Sequence, residues 1–589
     1  MLYIWLEKKF IIKMPKNKEE IKMKQAKLKK LMSVLLAAVM TLSVAACGNE
    51  SSTEKNKESE SNVNASVASS QVTSETEVNE EKGVTFPLKE EVTFDIGVFT
   101  NMDANELAAK CQIYQEFYEA TNVKINFVPL PTADALSSLN ALFATKNEPD
   151  AIFSYWISDA DLSNMVSNEL LVPIDKYLTE ELMPNLVNRV FAESNTVKGI
   201  ATMPDGKIYA LPAYNANMGM CLEGPIWINK NWVEKAGWKV EDIKTIDDLE
   251  TVLTYFRDND MNGNGIKDDE IPYIMSTTSS SNHVEVFLSL YGIATKDSTY
   301  NNYVFVENGE VKFAPLTQNW KDGIKKLNDW YEKGLIWKEV FTGTSETYQA
   351  KENSELPIIG LWNQKRAPQA GADEYVRLKP VSVDGYEASW DIYPGYMGYK
   401  SYLSVTRSCE NVDILMAWMD QFYSFENAVR INNGEEEYGR WGYTADGLVE
   451  FKSVDNDTYK EIYAKSPWLA GICGMTSFGA YTKEDYAERL AQTDTYKTQQ
   501  ESYEMYEEYI TDEPWPQPYF AAEDSARLVE LRTDIFTTLS LKRAEWVTGV
   551  ADIDKEYDAF VKDMEKMGID EFVKILQKAY DVYNSQASK

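Results

Sequence analysis

The sequence predicts an α/β protein of two lobes. Strand-like and helix-like apolar periods alternate along the body, 44% of the residues are hydrophobic, and a folded part of roughly 500 residues exceeds what one core usually supports. The opening reads as βαβ. Val92 to Phe99 is a strand; Leu107, Cys111, Tyr114, Phe117 and Tyr118 then recur at helical spacing, and Val123, Ile125 and Phe127 alternate as a second strand. Leu136, Leu139 and Phe143 mark a further helix face, and Glu148-Pro149-Asp150 leads into a strand from Ala151 to Tyr155. Such alternation implies sheets of the parallel type. Trp320, Trp330, Trp337 and Trp418 are read as core residues on helical faces.

Ahead of the body, Lys24, Lys27, Lys29 and Lys30 precede an apolar run from Leu31 to Val44 that closes on Val44-Ala45-Ala46-Cys47. This is a signal peptide with a small-residue cleavage site. The run is too short to span a bilayer, which takes roughly 20 residues. Trp5, Phe10, Ile11 and Ile12 interrupt the charge upstream, so Met23 is the expected start. The run VAAC resembles the lipobox of bacterial lipoproteins, in which the cysteine, here Cys47, carries acyl chains such as palmitate and becomes the new N-terminus. Gly48 to Lys82 is Ser, Glu, Asn, Thr and Lys with scattered valines. It cannot bury enough apolar surface to offset its ordering entropy and is expected to be a tether.

A formal net charge of -34 argues against nucleic acid and anionic membrane surfaces as partners. Cys111, Cys221, Cys409 and Cys473 are widely spaced, without a metal-type pair, and are read as buried thiols. The one histidine, His283, has no companion His or Cys nearby in sequence. No G-x-S-x-G elbow or phosphate-cradling glycine loop is present, so no catalytic residue is assigned.

The runs EPDAIFSYW (148–156), DGKIYALP (205–212), WINKNWVEKAGW (227–238), TIDDLETVLTYFRDNDMNGNGIKDDEIP (245–272) and WVTGVADIDKEYDAFVKDMEKMGIDEF (546–572) resemble the extracellular solute-binding proteins of ATP-dependent importers. Within that group the likeness is to the large oligosaccharide and alginate-type lipoproteins with a calcium loop. The resemblance implies the type II periplasmic-binding-protein-like fold, two α/β lobes hinged around a ligand. It also implies an oligosaccharide ligand, ABC transporter permease subunits as partners, a monomer, and a lipid-anchored place on the extracellular face of the cell membrane. The expected division is signal peptide 1–46, lipidated cysteine and tether 47–85, first lobe 86–212 with about 403–480, and second lobe 213–402 with about 481–589. Crossings are expected near Leu211 to Asn215 and Gly398 to Leu403.

Residues 260–270 read as a calcium loop in their own right. Thr245 and Asp248 form a capping-box start, and Leu249, Val252, Leu253 and Phe256 form one apolar helical face. The helix then runs into oxygen side chains at Asp260, Asn262 and Asn264, a turn at Gly265, the carbonyl of Ile266, and Asp268. That spacing wraps a hard cation in carboxylate, amide and carbonyl oxygens. Ile271 stands where such loops end on Glu, so closure falls to Asp269 or Glu270. The resemblance implies Asp269. The ion is expected to be structural; the competing reading is a solvated Asn-Gly turn.

Sugars present apolar faces and many hydroxyls, so their sites pair flat aromatic platforms with amides and carboxylates. Open α/β sheets bind at the carboxyl ends of their strands. The candidates are Tyr155, Trp156 and Asp159 after one strand; Trp362 and Asn363 after another; Trp390 and Tyr393 in a loop before the second crossing; and Trp441 and Trp468 in Gly-bearing stretches. A surface carbohydrate sensor or polymer-holding protein without import would use the same fold. A glycoside-active enzyme would need a carboxylate pair that nothing in the sequence singles out.

Overall fold

The computed structural model describes residues 83–277, 283–295, 302–392, 398–475 and 478–587. Cys47, the expected signal peptide, the expected tether up to residue 82 and Tyr393 lie outside the described residues. The strands divide into two principal sheets, each with its own core.

The first lobe holds β1 (Val92–Phe99), β2 (Val123–Leu130), β3 (Ala151–Phe153), β4 (Ala210–Asn215), β11 (Gly398–Val405) and β14 (Ala480–Tyr481), in the order β14-β4-β11-β3-β1-β2. The opening βαβ forms as its periodicity dictates: β1 and β2 pair in parallel from Val92↔Val123 to Phe99↔Leu130. The helix α1 (Gln112–Thr121) between them buries Ile113, Tyr114, Phe117 and Thr121. The second lobe holds β5 (Ile226–Asn229), β6 (Ile271–Ile274), β9 (Ile359–Asn363) and β10 (Tyr375–Leu378), in the order β10-β5-β9-β6. Two hairpins stand apart, β7 (Val304–Glu307) with β8 (Glu310–Phe313) and β12 (Trp441–Tyr443) with β13 (Val449–Phe451).

The sheets are mixed where alternation implies parallel ones, and the reason is the two-lobed path. Strand β4 leaves the first lobe at the carboxyl edge of its sheet, and β11, returning from the second lobe, enters at that same edge. It therefore runs antiparallel to both β4 and β3. In the second lobe β5 arrives from the first and runs antiparallel to β9 and β10. The carboxyl ends of β1 to β4 thus face the second lobe. Those of β6, β9 and β10 face the first. The chain crosses between β4 and β5, between β10 and β11, and a third time between β14 and Tyr506, which is buried in the second core; the first two crossings lie a few residues outside the expected points.

Helix α2 (Ala135–Thr145) and helix α3 (Asp159–Ser167) follow β2 and β3. Helix α4 (Asn195–Ala201) precedes β4, and helix α5 (Ile246–Asp258) opens with Thr245 and Asp248 in a reciprocal capping box. It buries Leu249, Val252, Leu253 and Phe256, the apolar face read from the sequence. Helix α6 (Gln318–Glu332) buries Trp320 and Trp330. Trp337 and Trp418 are also buried, although Trp337 follows the helix in a loop. The C-terminal helices α7 (Ala522–Val547), α8 (Ile553–Met567) and α9 (Ile569–Ala587) complete the second core with Leu539, Phe560 and Phe572. The far end of α9 reaches back to the first lobe, where a Cβ on Gly199 of α4 would stand 3.0 Å from the Tyr583 ring.

Candidate ligand cleft

A cavity of about 460 Å³ opens at the carboxyl edge of the first sheet. It is lined by Phe99 at the end of β1, by Thr132 to Ser137 after β2, and by Trp156 after β3. Three successive parallel strands deliver their following residues to one place, as open α/β sheets do. The loops are tied together: Asn101 Nδ2 donates to Thr132 Oγ1 at 2.7 Å, and Thr132 N–H donates back to Asn101 Oδ1 at 3.2 Å.

Trp156 is the exposed platform, with 60% of its surface open to solvent. It is held rather than loose. Its Nε1–H donates to the carbonyl of Gly474 at 2.6 Å, and Tyr155 meets it edge-on at 4.9 Å. Tyr402 backs Tyr155 at 5.3 Å. The Gly474 loop presses against the end of β1: Gly474 has φ of +73°, and a Cβ there would lie 2.3 Å from the Phe99 carbonyl oxygen. Only glycine meets both demands. Asp159, three residues beyond Trp156, pairs with Lys400 Nζ at 2.5 Å.

Trp362, Trp390, Trp441 and Trp468 are packing residues, and the first three spend their indole N–H inside the protein, the usual fate of a buried tryptophan. Trp362 is fully buried: its Nε1–H donates to the Arg366 carbonyl at 2.8 Å and its ring stacks on Tyr348 at 5.4 Å. Asn363 is buried beside it, accepting from Tyr273 Oη at 2.6 Å and donating to the Gly224 carbonyl at 2.9 Å. The residues half-open at that carboxyl edge are the next two, Gln364 and Lys365. Trp390 donates to the Glu223 carbonyl at 2.6 Å and packs against Tyr506. Trp441 donates to the Gly434 carbonyl at 2.8 Å in a small core with Phe425, Val429 and Tyr481. Trp468 is buried under the Arg440 guanidinium, 4.1 Å from its ring. The glycines near these residues accommodate their bulk or accept their N–H, and do not mark open loops. Phe99, Asn101 and residues 132–137, which run into the start of α2, were not among the candidates, although the rule that selects Trp156 applies equally to the ends of β1 and β2.

The 260–270 loop folds around its own acids. Asp260 accepts from the N–H groups of Gly263 and Gly265, both at 2.7 Å, and Gly263 and Gly265 take φ of +77° and +85°. Asn262 Oδ1 and Asn264 Oδ1 accept from the N–H groups of Asn264 and Ile266. Asn264 Nδ2 donates to Asp269 Oδ2 at 2.6 Å, and Glu270 Oε1 accepts from Met261 N–H at 2.6 Å. That leaves Asp269 Oδ1 and Glu270 Oε2 buried without a hydrogen-bond partner. Burial, with Asp269 adjacent, pushes the Glu270 carboxyl above its ordinary value. Among the described residues no three His, Cys, Asp or Glu side chains converge as a metal cage, so a cation here would draw on amide and carbonyl oxygens as well. Two buried acid oxygens without donors in a loop of such oxygens fit a hard cation.

The profile of the bacterial extracellular solute-binding proteins matches residues 112–373. The fructooligosaccharide ABC transporter substrate-binding protein FusA of Streptococcus pneumoniae serotype 4 is 27% identical over 525 residues, 86% of this chain and 93% of FusA. The solved structure of FusA in complex with kestose superposes with a TM-score of 0.63 at 25% identity, covering 84% of this chain and 100% of that one. A solute-binding protein from Bifidobacterium longum infantis, described as binding HMO and associated with an ABC transporter, gives 0.68 at 23% identity over 84% and 99% of the two chains. Over residues 112–373, and in its two α/β lobes, the chain is similar to the bacterial extracellular solute-binding proteins.

Proposed function

We propose that this protein captures an oligosaccharide between its two lobes at the cell surface and delivers it to an ABC transporter permease. The observation that carries the reading is Trp156, an exposed indole fixed in the cavity at the carboxyl edge of the first-lobe sheet. A sugar ring needs such a flat apolar face, and a cleft between lobes is where sheet edges place it. The substrate-binding relatives support it. The role is binding, not catalysis.

Two further parts of the reading concern attachment and the ion. Acyl chains on Cys47 would anchor the protein, with 48–82 as tether; Cys47→Ala should move the processed protein from the membrane fraction to the medium. Among the described residues no helix is long and apolar enough to cross a membrane. A structural calcium ion would be held by Asp260, Asn262, Asn264, the Ile266 carbonyl, Asp268 and Asp269, whose buried Oδ1 it would satisfy. The protein works as a monomer, its lobes closing on one ligand.

Titration calorimetry with kestose, beside a panel of unrelated oligosaccharides and short peptides, tests the central claim. Saturable binding of a sugar, with a fall in radius of gyration by small-angle scattering, is expected. Binding of peptides alone would overturn it.

A further inference from the structure

Besides its crossings after β4, before β11 and after β14, the chain touches both lobes within the short run Pro514-Trp515-Pro516-Gln517-Pro518-Tyr519-Phe520. Trp515 is buried in the second-lobe core and stacks on Tyr580 at 6.3 Å. Four residues later Tyr519 is buried in the first lobe, in the cluster that includes Phe99, Leu130 and Ile152. Phe520 packs against the second core again, while its carbonyl accepts from Ser163 Oγ of α3 at 2.8 Å. Prolines at 514, 516 and 518 fix φ at alternate positions and confine the residues between them to extended backbone.

One residue departs from that pattern. Gln517 has φ of +52°, a left-handed conformation that a non-glycine residue ahead of proline disfavours strongly. Such a conformation persists only where its surroundings over-determine it. Lys400 does so here. Its Nζ donates to the Gln517 carbonyl at 2.8 Å, lies 4.1 Å from the Tyr519 ring centre, and pairs with Asp159 at 2.5 Å. Asp159 opens the helix three residues after Trp156, and Phe99 both lines the cleft and packs in the Tyr519 cluster.

We infer that the 514–520 segment is a spring-like interlobe strap, held short by Lys400, and that Lys400 is a positioning residue coupling the cleft to the angle between the lobes. With the Lys400 bond made, Gln517 stays left-handed and Trp515 and Tyr519 are kept close. When the bond is lost, Gln517 relaxes to the extended backbone its neighbours prefer, the strap lengthens and the lobes part. A ligand seated on Trp156 and Phe99 stiffens the floor to which the strap is docked, and so favours the short strap and the closed form.

The strap can be tested without any ligand, so its failure is distinguishable from failure of the sugar-capture reading. In ligand-free Lys400→Met, the amides of Trp515, Gln517, Tyr519 and Phe520 should exchange with deuterium at least tenfold faster than in the parent protein, and the radius of gyration should rise. Lys400→Arg, which restores charge and donors, should recover most of both. With kestose as probe, Lys400→Met should bind several-fold more weakly although Lys400 need not touch the sugar. Unchanged strap exchange and an unchanged radius in folded Lys400→Met would overturn the inference, as would failure of Lys400→Arg to recover either. Should Lys400→Met not fold, Asp159→Asn decides by the same two readouts, since it withdraws the charge that orients Lys400.

Discussion

Trp156 and Gly474 are 318 positions apart in sequence and joined by one hydrogen bond, Nε1–H to carbonyl oxygen, at 2.6 Å. The bond fixes a largely exposed ring in one orientation. An aromatic face held before the ligand arrives loses little further freedom when a sugar stacks on it. Trp156→Ala should therefore weaken sugar binding at least tenfold while shifting the melting temperature of the empty protein little. Gly474→Val should do the same less selectively, because a Cβ there meets the Phe99 carbonyl and forces the loop away. Calorimetry and a thermal melt on each variant decide it; parent-like affinity in Trp156→Ala would remove the platform from the site.

The opposite pattern is expected for the buried indoles. Trp362→Ala should cost about 3 to 5 kcal/mol of stability, the usual range for emptying a large aromatic from a core. The remaining folded fraction should bind as the parent does. Denaturant titration gives the first quantity and calorimetry on the folded fraction the second. A stable Trp362→Ala that no longer binds would return this residue to the cleft.

The contrast between these tryptophans shows what was legible in the sequence. The α/β class, the helix opened by Thr245 and the place of Trp156 follow from periodicity, cap chemistry and a topological rule, all local or nearly so. What hid Trp362, Trp390, Trp441 and Trp468 is that a tryptophan beside a polar or glycine-bearing stretch looks alike whether its N–H meets solvent or a carbonyl. The partners of Trp390 and Trp441 are the carbonyls of Glu223 and Gly434, and only the fold supplies them. The antiparallel course of β11 was likewise out of reach, because it depends on the edge at which a returning chain enters.

For the 260–270 loop, chelation should lower the melting temperature of the body, since an ion bound only by the folded state stabilises it by mass action. Asp260→Ala should mimic chelation and abolish its further effect, as this side chain also organises the N–H groups of Gly263 and Gly265. Differential scanning calorimetry with added calcium or chelator is the measurement. Identical melts under both conditions, in a protein shown by elemental analysis to be calcium-free after chelation, would reduce the loop to a turn.

The last prediction concerns Glu285, buried against Arg543 of α7 and His283. Burial alone would raise its pKa, but the charges of Arg543 and His283 and their hydrogen bonds prevail and hold the carboxyl at about 2, against an ordinary value of 4.5. A carboxylate depressed in the folded state contributes stability in full above its unfolded pKa and loses it as pH falls toward the folded one. The melting temperature should therefore decline on acidification from about pH 4.5 toward pH 2. Glu285→Gln should flatten part of that decline. At neutral pH the same variant leaves the Arg543 charge buried and unpaired, which costs about 3 to 5 kcal/mol. Replacing both residues, with Arg543→Met added to Glu285→Gln, should regain much of the loss, because no charge then remains to be compensated. Denaturant unfolding of the two variants at pH 7 measures both quantities. A Glu285→Gln protein as stable as the parent would mean that water or a backbone group, and not this carboxylate, carries the Arg543 charge.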